Sequence, residues 1–297
     1  MKNRPRTIQI YLPSGDPRGI RIAAMTTSIV QVLEIPRALL SEFLGMNESK
    51  QVGLYFLVGD DVDDMDQPRV YIGQTGGLGK RLGEHHTDAK MDFWNRALVV
   101  ISLTQSFTQT HSLYLEWSSI QCANQAGRYS IKNGNAGSKP HTPAPLEADC
   151  QEIFDTLRTL VATLGQPVFE PLSKAQEPNG GEQAELFYCK SAAYDATAQY
   201  TVEGMVVLKG SMARIKVAPS SEKGTLGKVR SALLADGALK QEGSHYIFQR
   251  DVLFKSPSGA SVAVAGASTN GWDLWKAKGG KTLDELKRKT PENQKSE

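Results

Sequence analysis

Residues 52–135 alternate short apolar segments with longer amphipathic ones, and this succession restricts the possible folds more than any other feature of the chain. The patterns predict three strands and two helices, at residues 52–58, 69–74, 97–103, 80–86 and 109–126. Gly127 lies where the second helix should end. The order ββαβα predicts a small α/β unit in which neighbouring strands pair antiparallel.

The sequence on either side of this unit predicts further strands and helices, and it divides the whole chain into five segments. Strands are expected at 8–12, 20–24 and 29–35, and Pro36 should open a helix that runs to residue 44. The last third reads as α+β, with strands near residues 186–189, 205–208, 213–217 and 246–248 and helices near 227–234 and after Pro257. We expect an N-terminal β-element and helix (1–50), the motif-bearing unit (51–135), a linker with an amphipathic helix (136–184), a basic α+β domain (185–282) and a polar tail (283–297).

Composition places the chain among ordinary globular proteins and suggests a polyanionic partner. Of its 297 residues 40% are hydrophobic and 22% charged, and the length fits two domains. The net charge is only +2, but residues 205–297 hold 16 basic against 9 acidic side chains. A basic C-terminal third suits a polyanion, although a solvated basic face explains the same pattern.

Cysteine usage and hydropathy indicate a cytoplasmic protein. The three cysteines are widely spaced and form no CxxC pair, which argues against a disulfide framework and against a structural zinc site. No apolar run approaches the roughly 18 residues of a membrane span. The basic N-terminus leads into a strand pattern rather than the apolar core of a signal peptide.

The motif-bearing unit concentrates side chains suited to phosphodiester chemistry. Side chains alternate along a strand, so paired strands can aim Tyr55 and Tyr71 at one place. Arg81 and His85 stand four apart and share a helix face. Arginine holds phosphate oxygens with its planar, permanently charged fork. Tyrosines are common in strands anyway, and a mixed-charge helix surface would also explain the Arg81–His85 pair.

Glu116 is the most suggestive acidic residue. It lies three residues after Leu113 and four before Ile120, so it should share their apolar side of the helix. A carboxylate facing inward is a reasonable Mg²⁺ ligand, and a buried ion pair with Arg81 is the competing interpretation. The aspartates of residues 60–66 instead predict a solvated hairpin loop, because the glycine and distal glutamate of a calcium-binding loop are missing.

Taken together, these residues resemble the GIY-YIG nuclease domain. The resemblance covers roughly residues 51–135 and rests on Gly53-Leu54-Tyr55, Tyr71-Ile72-Gly73, Arg81, His85 and Glu116. It implies a small central sheet, antiparallel or mixed, flanked by helices. It also implies cleavage of DNA with one divalent metal ion, Mg²⁺ or Mn²⁺.

The resemblance implies a role for each matching residue. Tyr55 and Tyr71 would flank the scissile phosphate, one of them helping to deprotonate the attacking water. Arg81 would neutralise charge on the phosphate, His85 would assist proton transfer, and Glu116 would hold the metal. The family's site asparagine matches Asn133 best, with Asn124 and Asn135 as alternatives.

The C-terminal third resembles an uncharacterised domain that recurs fused to GIY-YIG units. The matching motifs are Val207-Leu208-Lys209-Gly210-Ser211, the stretch 256–261 and the stretch 270–275. We expect a basic set to contact DNA, consisting of Lys80, Arg81, Lys209, Arg214, Lys216, Lys228 and Arg230. Packing is the expected role of Trp272 and Trp275, with base stacking as the alternative.

The sequence therefore predicts a metal-dependent DNA endonuclease with two domains. A DNA-binding protein that lacks hydrolytic activity and an interaction adaptor on the same fold are the alternatives. The oligomeric state stays open. A homodimer is one option, because one site per chain favours pairing when both DNA strands are cut.

Overall fold

The protein forms two compact α+β units, each with its own sheet. The computed structural model describes residues 5–59, 67–134, 137–173, 185–216 and 225–289. One unit ends at residue 171 and the other follows from residue 172. The aspartate-rich segment 60–66, predicted as a hairpin loop, lies outside the described residues.

A seven-stranded sheet forms the centre of the first unit. Its strands are β1 (Ile8–Tyr11), β2 (Arg21–Met25), β3 (Val30–Pro36), β4 (Gly53–Gly59), β5 (Arg69–Thr75), β6 (Arg96–Ser102) and β7 (Ser130–Ile131). Their order across the sheet is β1-β2-β3-β6-β4-β5-β7. The β5–β7 pair is the parallel one among these pairs. Strand β7 pairs only with Arg69 and Val70 of β5, so the second half of β5 is a nearly free edge.

Helices cover both faces of this sheet and create two cores. The helices are α1 (Leu40–Gly45), α2 (Leu78–Thr87), α3 (Gln109–Ala126) and α4 (Ala144–Thr163). Leu54 and Phe56 pack with apolar residues of α3 and α4, whereas Tyr55 and Leu57 pack with those of α1 and α2. The alternation of side chains along β4 therefore separates the α2 face from the α3 face.

The predicted segments 1–50 and 51–135, together with residues 137–171 of the predicted linker, lie in this one unit. Strand β3 pairs with β6 along its whole length, from Val30 opposite Ser102 to Pro36 opposite Arg96. The N-terminal β-element thus extends the central sheet instead of standing apart from it. Helix α4 lies within the predicted linker segment 136–184, begins at Ala144, and buries Cys150, Leu157 and Leu160 in the core on the α3 face.

The second unit contains an eight-stranded sheet. Its strands are β8 (Leu186–Ser191), β9 (Tyr194–Thr201), β10 (Gly204–Val207), β11 (Met212–Arg214), β12 (Leu239–Glu242), β13 (His245–Phe248), β14 (Val252–Phe254) and β15 (Lys276–Ala277). Its helices are α5 (Thr225–Ala235), α6 (Pro257–Ala265), α7 (Gly271–Leu274) and α8 (Leu283–Lys287). Within the described ranges of both units, no helix has the length and apolar character needed to cross a membrane.

The prediction of a polar tail from residue 283 is wrong for residues 283–289. Thr282 and Glu285 form a capping box that starts α8, and the Leu283 side chain is fully buried. The Arg288 guanidinium lies 3.6 Å from the centre of the Trp272 ring. Trp275 is fully buried and donates its indole N–H to the Pro257 carbonyl, so both tryptophans pack within the unit.

Candidate active site

Tyr55 lies at the centre of the polar cluster, and the register of β4 and β5 determines its position. Tyr55 is opposite Gly73, and Leu57 is opposite Tyr71, so both tyrosines lie on the α2 face. A Cβ atom added to Gly73 would lie 2.3 Å from the Tyr55 hydroxyl. The phenol therefore passes directly over β5 at the one position that has no side chain to obstruct it.

Two side chains of α2 contact the Tyr55 hydroxyl. His85 Nε2 lies 2.8 Å from it, and Arg81 Nε donates a hydrogen bond to it at 3.3 Å. Both can reach because they are four residues apart on one helix face. Arginine can only donate, so the Tyr55 oxygen accepts from Arg81. The arrangement that uses every group has the single phenolic proton donated to His85 Nε2.

Burial and charge adjust the protonation of this trio. Burial raises the pKa of Tyr55 far above its ordinary value, and the hydrogen bond from Arg81 only partly opposes this effect. Burial lowers the pKa of His85, and the neighbouring Arg81 charge lowers it further. His85 is consequently a neutral acceptor near pH 7. Hydrogen bonds to Glu84 and Tyr55 raise the pKa of Arg81, which stays cationic.

Tyr71 borders the same cluster and opens it to solvent. Its ring centre lies 5.3 Å from that of His85 and 6.2 Å from that of Tyr55. Tyr71 is half-buried, whereas Tyr55 is only 1% exposed. The Arg81 side chain is 41% exposed while it pairs with Glu84 at 2.9 Å. A ligand would therefore meet Tyr71 and Arg81 before it met Tyr55.

Glu116 reaches this region from α3, at the free edge of β5. Its half-buried carboxylate accepts a hydrogen bond from the Gln74 backbone N–H. Burial raises the pKa of Glu116, and that hydrogen bond opposes the rise. The Glu116 charge is close enough to Tyr55 to contribute to its raised pKa. Gln74 directly follows Gly73, so the acid and the phenol meet around one stretch of β5.

The predicted surroundings of Glu116 need two corrections. Ile120 is buried as expected, but Leu113 is 39% exposed, so the carboxylate does not share an apolar side with it. The competing ion pair with Arg81 is replaced by other contacts, because Arg81 pairs with Glu84 and Glu116 accepts from Gln74. The Arg81–Glu84 pair has the i,i+3 spacing of the mixed-charge helix surface that was the alternative interpretation. The contact between Glu116 and Gln74 was not expected, because it joins a helix to a strand.

Asn133 binds the backbone of the same β5 edge. Its Oδ1 accepts from the Ile72 N–H at 3.0 Å, and its Nδ2 donates to the Ile72 carbonyl at 2.6 Å. The N–H groups of Ile72 and Gln74 point to the same edge because the two residues are two positions apart. Asn133 and Glu116 therefore bind consecutive outward N–H groups. Asn124 is exposed on α3, and Asn135 lies outside the described residues.

The residues that were expected to contact DNA differ in their exposure to solvent. Lys80 is exposed beside Arg81, and four others are exposed in the second unit: Lys209, Arg214, Lys216 and Lys228. The prediction that Arg230 contacts DNA is wrong, because Arg230 is 4% exposed and its guanidinium donates to the Ala263 and Val264 carbonyls. A side chain used in this way supports the fold and cannot reach a phosphate.

Three polar residues near Glu116 were missed from the sequence. Gln74 Oε1, Ser112 Oγ and Ser119 Oγ are buried and have no hydrogen-bond partner within the described part of the chain. Ser112 lies four residues before Glu116 and Ser119 three after it, so the helical spacing that singled out Glu116 also contained both serines. Gln74 could have been found because it directly follows the Tyr71-Ile72-Gly73 motif.

Comparison with known proteins bears on the second unit. A protein-family model described as a domain of unknown function (DUF4357) matches residues 187–287, about a third of the chain. This is consistent with the uncharacterised C-terminal domain expected from the motifs near residues 207–275. No curated protein and no solved structure matches the chain significantly. The resemblance of residues 51–135 to the GIY-YIG nuclease domain stays a prediction.

Proposed function

We propose that the chain is a divalent-metal-dependent DNA endonuclease whose site lies on the first unit and is of the GIY-YIG type. The observation that carries the proposal is the Tyr55 hydroxyl, which lies within hydrogen-bond distance of both Arg81 and His85. Glu116, on α3, accepts a hydrogen bond from the backbone N–H of Gln74, the residue after Gly73. Residues distant in sequence thus supply a cation, a neutral base, a phenol and a carboxylate at one place.

The residues fit a bound Mg²⁺ or Mn²⁺ if substrate and water complete its coordination. No group of three His, Cys, Asp or Glu side chains able to hold a metal occurs among the described residues. Mg²⁺ is commonly held by one or two carboxylates together with phosphate oxygens and waters. Glu116 has this character, since its half-buried carboxylate is oriented by the Gln74 N–H rather than paired with Arg81. When bound, such an ion lowers the pKa of water and offsets phosphate charge.

The other side chains would position the phosphate and move the proton. Arg81 would donate to phosphate oxygens from its exposed fork while its Nε keeps the Tyr55 hydroxyl in place. A water proton passed to Tyr55 would require the phenol to release its own proton to His85 Nε2. This relay suits a tyrosine whose raised pKa prevents it from holding a negative charge. Fixed hydrogen-bond donors near developing charge usually make the largest catalytic contribution.

The second unit would hold the DNA through its exposed cations. Lys209, Arg214, Lys216 and Lys228 remain available for phosphate contacts, whereas Arg230 does not. Phosphate contacts of this kind add affinity without sequence preference. This part of the proposal gives the DUF4357-like unit a role in gripping substrate.

Cleavage of plasmid DNA tests the proposal. The purified full chain with Mg²⁺ or Mn²⁺ should nick or cut plasmid, and Glu116→Ala should abolish cleavage while DNA binding persists. Supercoiled, branched and single-stranded DNA should be compared in the same assay. Glu84→Ala is the matched control and should still cleave, because Glu84 is an exposed acid whose carboxylate pairs with Arg81.

The outcomes separate the alternatives. If wild type and Glu116→Ala cut equally well, Glu116 does not hold the metal. If neither cuts any form of DNA but binding weakens steeply with salt, the chain is a DNA-binding protein without hydrolytic activity. Absence of salt-dependent DNA binding would leave the adaptor alternative.

A further inference from the structure

Buried polar atoms without a partner are concentrated around Glu116. The described residues contain five such side-chain atoms, and three of them belong to Gln74, Ser112 and Ser119. These residues lie on α3, which carries Glu116, and on β5, whose backbone donates to the Glu116 carboxylate. Buried polar groups in folded proteins are normally satisfied, so a cluster of exceptions points to a ligand or an ordered water.

Helix geometry places the two serines on the same stripe as Glu116. Ser112 and Ser119 are one turn before and one turn after it, and both are fully buried. Side chains on a helix lean toward its N-terminus, so the Glu116 side chain extends over the turn that contains Ser112. Ser119 lies on the turn away from the carboxylate. The stripe is therefore polar on the side of α3 that faces the sheet.

Gln74 faces this stripe from the opposite side. Alternate residues of a strand share a face, and Ile72 packs in the same core as Leu115 and Ile120 of α3. The Gln74 side chain therefore lies on the α3 side, and its Oε1 is buried with no partner in the described chain. Its backbone N–H already donates to Glu116. Carboxylate and carboxamide oxygens are both suitable ligands for a hard divalent cation.

We propose that the Gln74 side-chain oxygen is a second protein ligand, beside Glu116, of the divalent cation. The inference rests on the proposed function, since it concerns the cation of that site. It assigns opposite effects to one oxygen: without the cation the buried, unpaired Oε1 destabilises the fold, and with the cation it contributes to binding. A residue that only supported the fold would not have both effects.

Gln74→Leu tests this assignment in the full-length chain. Leucine has a similar size but lacks the oxygen, so the variant should bind Mn²⁺ at least about tenfold more weakly. In the absence of metal its Tm should rise, because an unpaired buried polar atom has been removed. Mn²⁺ binding is measured from the electron paramagnetic resonance signal of the free ion, with and without duplex DNA. Thermal unfolding is followed with and without Mn²⁺.

Two variants calibrate the measurement. Ser119→Ala removes another unpaired oxygen of the stripe, so it should raise the metal-free Tm and leave Mn²⁺ affinity unchanged. Glu116→Gln should remove Mn²⁺ binding. Together they distinguish loss of a ligand from relief of a buried polar group.

The possible results lead to separate conclusions. If Gln74→Leu binds Mn²⁺ like wild type while Glu116→Gln does not, the inference is overturned and the proposed function stands. If Gln74→Leu lowers both the metal-free Tm and the affinity, Gln74 supports the fold and the inference is also overturned. If wild type binds no Mn²⁺ with or without DNA, the proposed function and the inference fail together.

Discussion

Gly73 is a glycine because Tyr55 occupies the space where its side chain would be. The hydroxyl lies 2.3 Å from the position of an added Cβ, so even alanine must displace the phenol from Arg81 and His85. In the proposed enzyme, Gly73→Ala should reduce plasmid cleavage by at least about tenfold, since displacing a reacting group by 1 Å can cost on the order of 100-fold.

Gly76 provides the matched control for that substitution. It follows β5, and an added Cβ there meets nothing within 4 Å. Gly76→Ala should therefore cleave like wild type in the same nicking assay. Equal cleavage by Gly73→Ala would show that the position of the Tyr55 hydroxyl does not matter for the reaction.

His85 should make the fold less stable in mild acid. Burial lowers its pKa below the ordinary 6.5, so the unfolded chain takes up a proton at a pH where the folded chain does not. Stability from this group is complete above pH 6.5 and is lost as the pH falls toward the lowered value. The free energy of unfolding, measured by urea titration at pH 7 and pH 5, should fall more for wild type than for His85→Gln. An identical fall in both would show that His85 titrates normally.

At the scale of elements, the free edge of β5 is closed by side chains rather than by another strand. Asn133 binds the Ile72 backbone, and Glu116 binds the Gln74 N–H one step further along. Strand β7 pairs only with Arg69 and Val70. The Asn133 and Glu116 side chains therefore supply the backbone contacts of β5 beyond the end of β7. Asn133 is therefore a positioning residue for the strand that carries Tyr71.

Asn133→Ala should destabilise the first unit and weaken the site. It leaves an N–H and a carbonyl of β5 without their partners, which costs about 1–3 kcal/mol. The measurement is chemical denaturation, combined with cleavage activity under conditions where the variant stays folded. Asn124→Ala is the control and should change neither quantity, since Asn124 is exposed on α3. If Asn124→Ala were the damaging change, the choice of Asn133 would be wrong.

At the scale of the whole molecule, charge on the second unit should set the salt dependence of DNA binding. Arg214 and Lys209 are exposed, and each phosphate contact contributes about 0.9 to the logarithmic salt slope. Arg214→Gln should weaken binding to all DNA sequences and reduce the slope by about 1, measured by fluorescence anisotropy across salt concentrations.

Arg230→Gln should behave differently from Arg214→Gln although both remove one positive charge. Its guanidinium is buried against the Ala263 and Val264 carbonyls, so the variant should lose about 2 kcal/mol or more of folding stability. Wherever the variant remains folded, its salt slope should match that of wild type. A reduced slope in folded Arg230→Gln would mean that this arginine contacts DNA after all.

Local sequence was sufficient for most elements of the first unit. Helix α3 begins and ends at the predicted residues, because Thr108 caps it and Gly127 ends it in the left-handed conformation that glycine adopts easily. The strands of the central hairpin follow from runs of apolar β-forming residues. In the second unit β9, β12 and β14 were not predicted. Strand β9 mixes polar and small residues, β12 is mostly polar and β14 has only three residues, so none has a clear local strand pattern and each depends on pairing with its neighbours.

The sequence by itself determined which residue types are present and which of them share a strand face or a helix face, since those relations depend only on local periodicity. It therefore predicted that Arg81 and His85 project side by side, and that pairing of the two strands can aim both tyrosines at one place. Tertiary structure decided what depends on contacts between distant segments. It placed the Tyr55 phenol over Gly73, buried Arg230, and brought Gln74 to the acid on α3. Register and burial set these contacts, and neither can be calculated from the spacing of residues along one element.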